Sequence, residues 1–467
     1  MAKRDLTNGS LYRGILSLAI PMIASGTLQS IQNMVDLFFV NRLGENAVAA
    51  VGMSGQALMV LIAVFMGVGL STVALISRAV GAKDPEHAAH VAGQSLLLSV
   101  FFSVCVGIVG FVFSTHILKA LGAEPDVIEL GTGYLHIIFS GVFFLCAAFV
   151  INGIFHASGD AVTPFVLGMI VTACNCVLNP LLIFGALGFP EMGVRGSAIA
   201  TVIARILGFV VGMGLLLRGR LTVRLHRRNF DINLGIMWRI LAIGIPGSMM
   251  MSVRTLMNLA LMRIVSKFGT AVVAAYTIGL RIRMIALIVF FGFAGSAATM
   301  VGQNLGARQP KRSQRSAYIA TGMAFASAVV MCLMLVNFAP WLIAAFNKKG
   351  GPEVLDPGIA FLQITSVGLL ASSISIVLGR AMSGAGDTRS PFIISLICLW
   401  GFQIPAAVVF SGVRQMWGMP IPWANTFAGL SLHGETGVWV AIVAASVLQA
   451  IITSFWFALG RWKHKKV

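Results

Sequence analysis

Residues 14–40 read GILSLAIPMIASGTLQSIQNMVDLFFV, an apolar stretch that is long enough to cross a lipid bilayer as a helix, because about 20 residues span the hydrocarbon. Eleven more apolar stretches follow along the 467 residues. They lie at about 47–76, 91–113, 130–153, 161–185, 195–217, 236–263, 271–300, 316–338, 358–381, 391–411 and 436–459. Strands of a membrane barrel would be segments of about 10 residues with alternating polarity. The sequence therefore predicts an all-α polytopic membrane protein with twelve transmembrane helices.

The composition excludes most soluble classes of protein. Hydrophobic residues make up 58% of the chain and charged residues 10%, whereas about a quarter of a soluble protein is charged. The net charge of +18 would suggest nucleic acid only if it lay on one soluble face. The sequence contains neither an H-E-x-x-H motif nor a G-x-S-x-G motif in a plausible setting, so we expect no enzyme, no nucleic-acid partner and no resident cofactor.

The basic residues predict the orientation of the chain in the membrane. If the N-terminus lies inside, the loops on that side hold most of the Lys and Arg residues. They include Arg78, Lys83, Arg218, Arg220, Arg224, Arg227, Arg228, Arg239, Arg308, Lys311, Arg312 and Arg315. An excess of positive charge marks the cytoplasmic side. We therefore predict a multi-pass protein of the cell membrane with both termini cytoplasmic and anionic lipids at its cytoplasmic face.

The two halves of the chain resemble each other. With a shift of 225 positions, Pro21 matches Pro246, Gly44 matches Gly269, Gly67 matches Gly292 and Gly81 matches Gly306. Later, SGDAVTPF (158–165) resembles AGDTRSPF (385–392). Because each half holds an even number of helices, both halves enter the membrane from the same side. We predict two pseudo-symmetric six-helix bundles around a central cleft: an N-lobe (1–220), a cytoplasmic linker (221–239) and a C-lobe (240–467).

Asp36 is the one acidic residue deep inside an apolar stretch. A charged side chain at mid-bilayer costs about 2.5 to 3.5 kcal/mol and usually serves ions, protons or a substrate. Gln29, Gln32 and Asn33 stand near it at helical spacing and form a polar stripe with it. The alternative is a buried aspartate that only pairs with an arginine.

Two further polar stripes lie in the same half. Thr172, Asn175 and Asn179 recur at helical spacing in the fifth stretch, just before Pro180. Thr201 and Arg205 recur in the sixth. One carboxylate with amide and hydroxyl oxygens suits a single sodium ion or proton. The alternative is that these groups only bond helix to helix, and the sequence leaves open whether Arg205 pairs with Asp36.

At these positions the chain resembles the multidrug and toxic compound extrusion (MATE) family of cation-coupled exporters. The resemblance is carried by LAIPMIASGTLQSIQNMVDLFFVNRLG (18–44), SGDAVTPF (158–165), NCVLNP (175–180), GVRGSAIATVIAR (193–205) and GAGDTRSPF (384–392). It implies that Asp36 is the coupling carboxylate, with Asn175, Asn179 and Thr201 completing a site for Na⁺ or H⁺. The residue at 179 is Asn, as in the NorM-like branch. A monomer is the family expectation.

The second half departs from that family pattern. NorM-like members carry acidic residues in the seventh and tenth helices, but residues 245–258 and 364–380 contain none. Arginines occupy the spans instead: Arg254, Arg281, Arg283 and Arg380. They either face part of the cleft and favour anionic or zwitterionic amphiphiles, or snorkel to the interface. The predicted substrate-cleft residues are Gln32, Asn33, Arg205, Arg254, Arg281, Arg283 and Met250.

These features predict an antiporter that couples entry of Na⁺ or H⁺ to the export of small amphiphilic compounds or drugs by alternating access. The alternative is a flippase of the same superfamily for a lipid-linked or anionic amphiphile, favoured by the basic C-lobe. Prolines inside helices remove a backbone donor and tend to kink them. We therefore predict that Pro21 and Pro180 are points of helix bending.

Overall fold

The computed structural model is helical along almost its whole length and describes residues 6–219, 223–347, 351–413, 415–416, 419–420, 432 and 434–465. Its helices are α1 (Leu11–Asn41), α2 (Glu45–Gly81), α3 (Pro85–Ala120), α4 (Pro125–Ser140), α5 (Val142–Ala157), α6 (Val162–Phe184), α7 (Gly193–Arg218), α8 (Leu234–Val265), α9 (Thr270–Gly306), α10 (Pro310–Asn337), α11 (Ala339–Phe346), α12 (Leu355–Gly384), α13 (Arg389–Leu396), α14 (Ile404–Ser411) and α15 (Glu435–Ala458). A π-helical turn, Ile397–Gln403, joins α13 to α14. Two short strands, β1 (Gln415–Met416) and β2 (Met419–Pro420), pair antiparallel.

The helices have the length and polarity of membrane spans. Among the described residues, ten helical segments are long and apolar enough to cross a bilayer, and the pair α4 and α5, bent by 51°, makes an eleventh. Helix α2 runs unbroken for 37 residues and includes the apolar part Phe65–Gly81. Each predicted apolar stretch lies on one of these segments to within a residue or so. The predicted all-α membrane fold is confirmed.

The chain divides into two compact units. The first unit contains the residues up to Ser248 together with Thr299–Ser313, and the second contains Met249–Ala298 together with the residues from Gln314 onward. The beginning of α8 thus belongs to the first unit, where Ile236, Ile240 and Ile243 pack into a hydrophobic core. The predicted division into 1–220, 221–239 and 240–467 stays a prediction, and residues 220–222 lie outside the described part.

The segment before α8 is more ordered than a plain linker. It forms a 3₁₀ turn, Arg227–Phe230, and α8 then begins at Leu234. The fully buried side chain of Gln94 on α3 holds the segment. Its Nε2 donates to the carbonyls of Asn229 (3.1 Å) and Asp231 (2.8 Å), and its Oε1 accepts from the backbone of Asn233 (3.0 Å).

The sequence repeat reappears in the backbone. Helices α2 and α9 are both 37 residues long. Matching positions adopt matching left-handed conformations, with φ of 59° at Lys83 and 58° at Arg308, and of 85° at Gly159 and 88° at Gly386. The two GD loops are also built alike. The carboxylate of Asp160 accepts hydrogen bonds from Thr163, and that of Asp387 accepts them from Ser390.

The C-terminal ends of α2 and α9 pack closely inside the first unit. A β-carbon on Gly81 would overlap the backbone carbonyl of Gln303, and a β-carbon on Gly306 would overlap that of Arg78. The sequence repeat relates the two contacts, because a shift of 225 positions takes Gly81 to Gly306 and Arg78 to Gln303. Small residues let membrane helices approach backbone to backbone, so both glycines are required by packing.

Candidate functional site

A chain of polar side chains joins α1, α6 and α7 inside the first unit. The Nδ2 atom of Asn179 donates to Asp36 Oδ1 at 2.7 Å and to Asn175 Oδ1 at 3.1 Å. The Nδ2 atom of Asn175 in turn donates to Thr201 Oγ1 at 3.3 Å. Asp36, Asn175, Asn179 and Thr201 are therefore connected by hydrogen bonds, and this set is called the carboxylate network below.

The carboxylate network is closed to solvent on its amide side. Asn175 and Asn179 are completely buried and Thr201 is 6% exposed, while Asp36 is half-buried. Helical spacing explains the assembly, because Asn175 and Asn179 are four residues apart on α6 and lie on one face.

One atom of the carboxylate network lacks a partner. Asn179 Oδ1 is buried and accepts no hydrogen bond from the described residues. A buried polar atom left without a partner costs about 1 to 3 kcal/mol. Carboxylate, amide and hydroxyl oxygens are hard ligands, and the single formal charge here balances one monovalent cation. The residues present therefore fit a site for one Na⁺ or one H⁺.

The polar side chains of the α1 stripe lie in two different environments, one buried and one exposed. Gln32 is buried, and its Oε1 accepts a hydrogen bond from Thr172 on α6 at 3.2 Å. Asn33 is exposed, and its Oδ1 accepts from Gln29 at 3.3 Å. The structure thus brings Gln32 toward the carboxylate network and leaves Asn33 exposed.

A cavity of about 160 Å³ lies beside this network within the first unit. Its apolar lining includes Leu28, Leu145, Phe149, Leu167 and Val171, and its polar lining includes Gln29, Gln32, Asn152, Thr172 and Arg205. Asn152 is a residue that the sequence analysis missed. The only signal for it was a single amide in the apolar run VINGIF (150–155).

Arg205 faces Asp36 without a salt bridge. Its positive charge acts on the Asp36 carboxylate, but no ion pair within 4.0 Å joins the two among the described residues. The ion pair found there is a surface one, between Arg228 and Glu86 at 3.1 Å. A permanent Asp36–Arg205 bridge, one of the two possibilities left open by the sequence, is absent from this structure.

The two predicted bending points lie inside continuous helices. Pro21 is within α1, where its carbonyl accepts a hydrogen bond from the Ser25 hydroxyl at 2.9 Å. Pro180 is within α6, directly after Asn179. Both helices run past their proline, so the bending role stays a prediction.

The arginines of the second unit have different surroundings. Arg281 is exposed, whereas Arg283 is 9% exposed and lies 5.9 Å from the ring of Phe361. Arg254 is half-buried, as is Met250. The structure does not gather the predicted cleft residues into one place within either unit: Gln32 and Arg205 belong to the first, and Arg254, Arg281, Arg283 and Met250 to the second.

The fold and this network define a membrane transporter rather than an enzyme. Its membrane-spanning helices form a repeated pattern, and a single intramembrane carboxylate lies in a network of amides. The MatE family model matches residues 21–181 and 246–409, beginning at the matched prolines of both halves. The chain belongs to this family, the MATE exporters.

Relatives match the chain over nearly its full length. A probable multidrug resistance protein, YoeA of Bacillus subtilis, is 26% identical and covers 98% of this chain and 96% of its own length. An FAD transporter of Shewanella oneidensis is 25% identical over 88% of this chain and 90% of its own length.

Solved structures are similar throughout. A multidrug resistance MATE transporter of the MOP superfamily, in an outward-facing conformation, has a TM-score of 0.88, 25% identity and coverage of 98% of both chains. A MOP superfamily transporter of Pyrococcus furiosus, described as having a binding pocket of reversed polarity, has a TM-score of 0.88 at 25% identity and covers 99% of this chain and 98% of its own.

Proposed function

We propose that this protein is an antiporter that exports amphiphilic organic compounds in exchange for Na⁺ or H⁺ by alternating access. The observation that carries the proposal is the buried, unpartnered Asn179 Oδ1 beside the Asp36 carboxylate. A cation held between these oxygens satisfies the open acceptor and neutralises the charge in one event. Intramembrane carboxylates of this kind commonly serve ion or proton pathways.

Occupation of the carboxylate network changes the electrostatics of the neighbouring cavity. The charge of Asp36 offsets that of Arg205, and Arg205 lines the cavity. A bound Na⁺ or H⁺ removes this compensation and alters the affinity of the cavity for a charged compound. A ligand shifts an equilibrium between two states by its differential affinity for them, so this difference is the source of coupling.

The cavity itself suits an amphiphile. Leucine, valine and phenylalanine side chains supply apolar surface, while Gln29 and Asn152 supply amide groups. Such a lining binds flat or flexible apolar molecules and fixes their polar groups by a few hydrogen bonds. We infer that the apolar part of a small amphiphilic compound contacts this lining during export.

The test is export of the fluorescent cation ethidium from proteoliposomes, with a sodium gradient or a pH gradient imposed separately. One of the two gradients is expected to drive export by the unaltered protein. Asp36→Asn is expected to reduce it to the leak of empty liposomes, because the amide has no charge to be neutralised. Asp126→Asn is the matched control, since that carboxylate is exposed in the first turn of α4. Export by Asp36→Asn at the unaltered rate contradicts the proposal.

We also propose that both termini face the cytoplasm, as the distribution of basic residues indicates. A protease-cleavable tag at each end is expected to be cut in inside-out membrane vesicles and protected in right-side-out vesicles. The opposite pattern contradicts this orientation.

A further inference from the structure

The cavity of the first unit lies one helical turn away from the carboxylate network. On α1, Gln32 of the cavity lining precedes Asp36 of the network by four residues. On α7, Arg205 of the lining follows Thr201 of the network by four residues. Four residues correspond to about one turn, or roughly 6 Å along the helix axis. The cavity and the network are therefore neighbours on the same helices.

Arg205 gives the cavity its charge. Of the described residues that line the cavity, Arg205 alone is charged. Its side chain is half-buried within the membrane-spanning segment Gly193–Arg218. No hydrogen bond or ion pair joins its guanidinium group to another residue in the described part of the chain. The donors of this group are thus available to a molecule in the cavity.

The helices around the cavity contain one acid that could balance Arg205. The lining residues belong to α1, α5, α6 and α7, and in these four helices the sequence holds a single acidic residue, Asp36. The carboxylate of Asp36 accepts a hydrogen bond from Asn179 and forms no ion pair with Arg205 in this structure. Charged side chains inside a membrane are costly and usually serve a function. An anionic group in the cavity would compensate the charge of Arg205 directly.

The rest of the cavity suits the apolar body of a small carboxylate compound. Leu28, Leu145 and Phe149 supply apolar surface. The cavity has a volume of about 160 Å³, and an apolar cavity of about 150 Å³ in another protein binds benzene. The guanidinium group presents a planar fork of donors that matches the two oxygens of a carboxylate. One aromatic ring with one carboxylate therefore matches both the volume and the charge of the site.

We propose that Arg205 is the specificity-determining residue of this cavity and binds the carboxylate of the transported compound, whose apolar body fills the rest of the cavity. The compound is a simple anion or a zwitterion, since both present the same carboxylate. The role in transport rests on the proposed export function, whereas the binding of a carboxylate at Arg205 does not.

The charge of Asp36 distinguishes these two kinds of compound. It repels a simple anion, so Na⁺ or H⁺ bound in the carboxylate network strengthens the binding of that anion. It attracts a zwitterion that is bound with its ammonium group towards Asp36, so the same cation weakens the binding. Exchange requires that the cation and the compound weaken each other's binding, and this effect is reciprocal. We therefore expect the exchanged compound to be a zwitterion.

Carboxylate binding is tested by calorimetric titration of the purified protein in detergent with benzoate and with benzamide, its neutral analogue of nearly equal size. The unaltered protein is expected to prefer benzoate. Arg205→Gln is expected to reduce this preference by roughly tenfold or more, as for the loss of a hydrogen bond to a charged group, whereas Arg205→Lys is expected to keep part of it.

The control is Arg218→Gln, at the exposed end of the same α7, which is expected to keep the full preference for benzoate. Because the readout is a ratio of two affinities in one variant, a general loss of stability does not imitate the effect. An unchanged preference in Arg205→Gln overturns the site. Equal binding of benzoate and benzamide by the unaltered protein overturns it as well.

The influence of Asp36 is tested by repeating the titrations with Na⁺ in place of choline, and at mildly acidic in place of neutral pH. The coupling ion is expected to strengthen the binding of benzoate and to weaken that of the zwitterion 4-(aminomethyl)benzoate. Asp36→Asn is expected to bind both probes as the ion-loaded protein does, whether or not the ion is present. Stronger binding of both probes with the ion excludes a zwitterion as the exchanged compound.

The two proposals fail in different ways. If the preference for benzoate depends on Arg205, but neither ion alters any affinity and neither gradient drives ethidium export, the carboxylate site stands and the proposed exchange is wrong. If a gradient drives ethidium export and Asp36→Asn stops it, but Arg205→Gln keeps the preference for benzoate, the export function stands and the carboxylate site is wrong.

Discussion

We expect Asn179 to determine how strongly the carboxylate network holds a cation, if the network has the role proposed for it. Its side chain touches Asp36 directly, at 2.7 Å, and keeps its own oxygen unpaired. Asn179→Asp adds a second negative charge at almost unchanged volume. Attraction to a monovalent cation about 4 Å away is then stronger by a few kcal/mol at most, less the repulsion between the carboxylates.

We therefore expect Asn179→Asp to lower the Na⁺ concentration for half-maximal export by roughly tenfold. If the coupling ion is H⁺, the pH of half-maximal export is expected to move upward, because two adjacent carboxylates hold a shared proton more firmly. The measurement is ethidium export over a series of Na⁺ concentrations and pH values. Asn337→Asp is the control, since Asn337 is exposed at the end of α10. Unaltered dependence on both ions excludes Asn179 from the site.

The sequence anticipates much of this network and misses part of its surroundings. Helical spacing alone places Asn175 and Asn179 on one face of α6, and the structure connects that face to Asp36. Spacing could not separate Gln32 from Asn33, because consecutive residues on a helix point about 100° apart and either could face inward. Gln32 is the residue that faces inward, because its side chain accepts a hydrogen bond from Thr172 on α6.

At the scale of helices, the close packing of α2 against α9 predicts that one added methyl group lowers the stability of the protein. Gly81→Ala would place its methyl against the carbonyl of Gln303, and overpacking of this kind costs about 1 to 3 kcal/mol. We expect a clear fall in the Tm of the purified protein. Gly322→Ala is the control, because that position on α10 is exposed with open space around it; there alanine is expected to stabilise by about 0.5 to 1 kcal/mol. Equal Tm changes for both variants exclude close packing at Gly81.

The contact of α3 with the segment before α8 makes a second prediction at this scale. Gln94→Leu removes three hydrogen bonds to the backbone of residues 229–233. The freed segment carries Arg224, Arg227 and Arg228, so trypsin is expected to cut it about tenfold or more faster, as for loss of roughly 1.4 kcal/mol of local stability. Ser95→Ala is the control, because Ser95 bonds within its own helix. An unaltered cleavage rate contradicts this role of Gln94.

The helices themselves are well predicted, and their irregularities are not. Apolar runs fix the spans, because the bilayer demands a minimum length. The break between α4 and α5, bent by 51°, falls at Gly141 in a stretch that reads as one span. No feature of the sequence predicts the π-helical turn Ile397–Gln403 either. The α4–α5 break and the π-helical turn both depend on packing against neighbouring helices, and the sequence of one span contains no information about that packing.

Across the whole molecule, the repeat is preserved in the backbone but not in its chemistry. With the same shifts, Asp36 corresponds to Leu261 and Asn179 corresponds to Ala406. The carboxylate network therefore has no counterpart at the matching positions of the second half. Instead, that half carries Arg254 and Arg380.

We expect one monovalent cation to bind per chain. Equilibrium binding of radioactive Na⁺ to purified protein is expected to saturate at one ion per chain if Na⁺ is the coupling ion, and release of one proton on raising the pH is expected if it is H⁺. Asp36→Asn is expected to abolish either signal. Two ions per chain, or full binding by this variant, contradicts a single site at Asp36.

A single intramembrane carboxylate also determines the net charge that crosses the membrane in each cycle of the proposed exchange. If one cation enters and a monovalent cationic compound leaves, no net charge crosses, and the membrane voltage contributes nothing to the work of export. If a monovalent anion leaves instead, two charges move in the same electrical sense per cycle. At about 2.3 kcal/mol per charge for 100 mV, the voltage then supplies roughly 4.6 kcal/mol. Whether this exporter generates a current depends on the charge of its cargo alone.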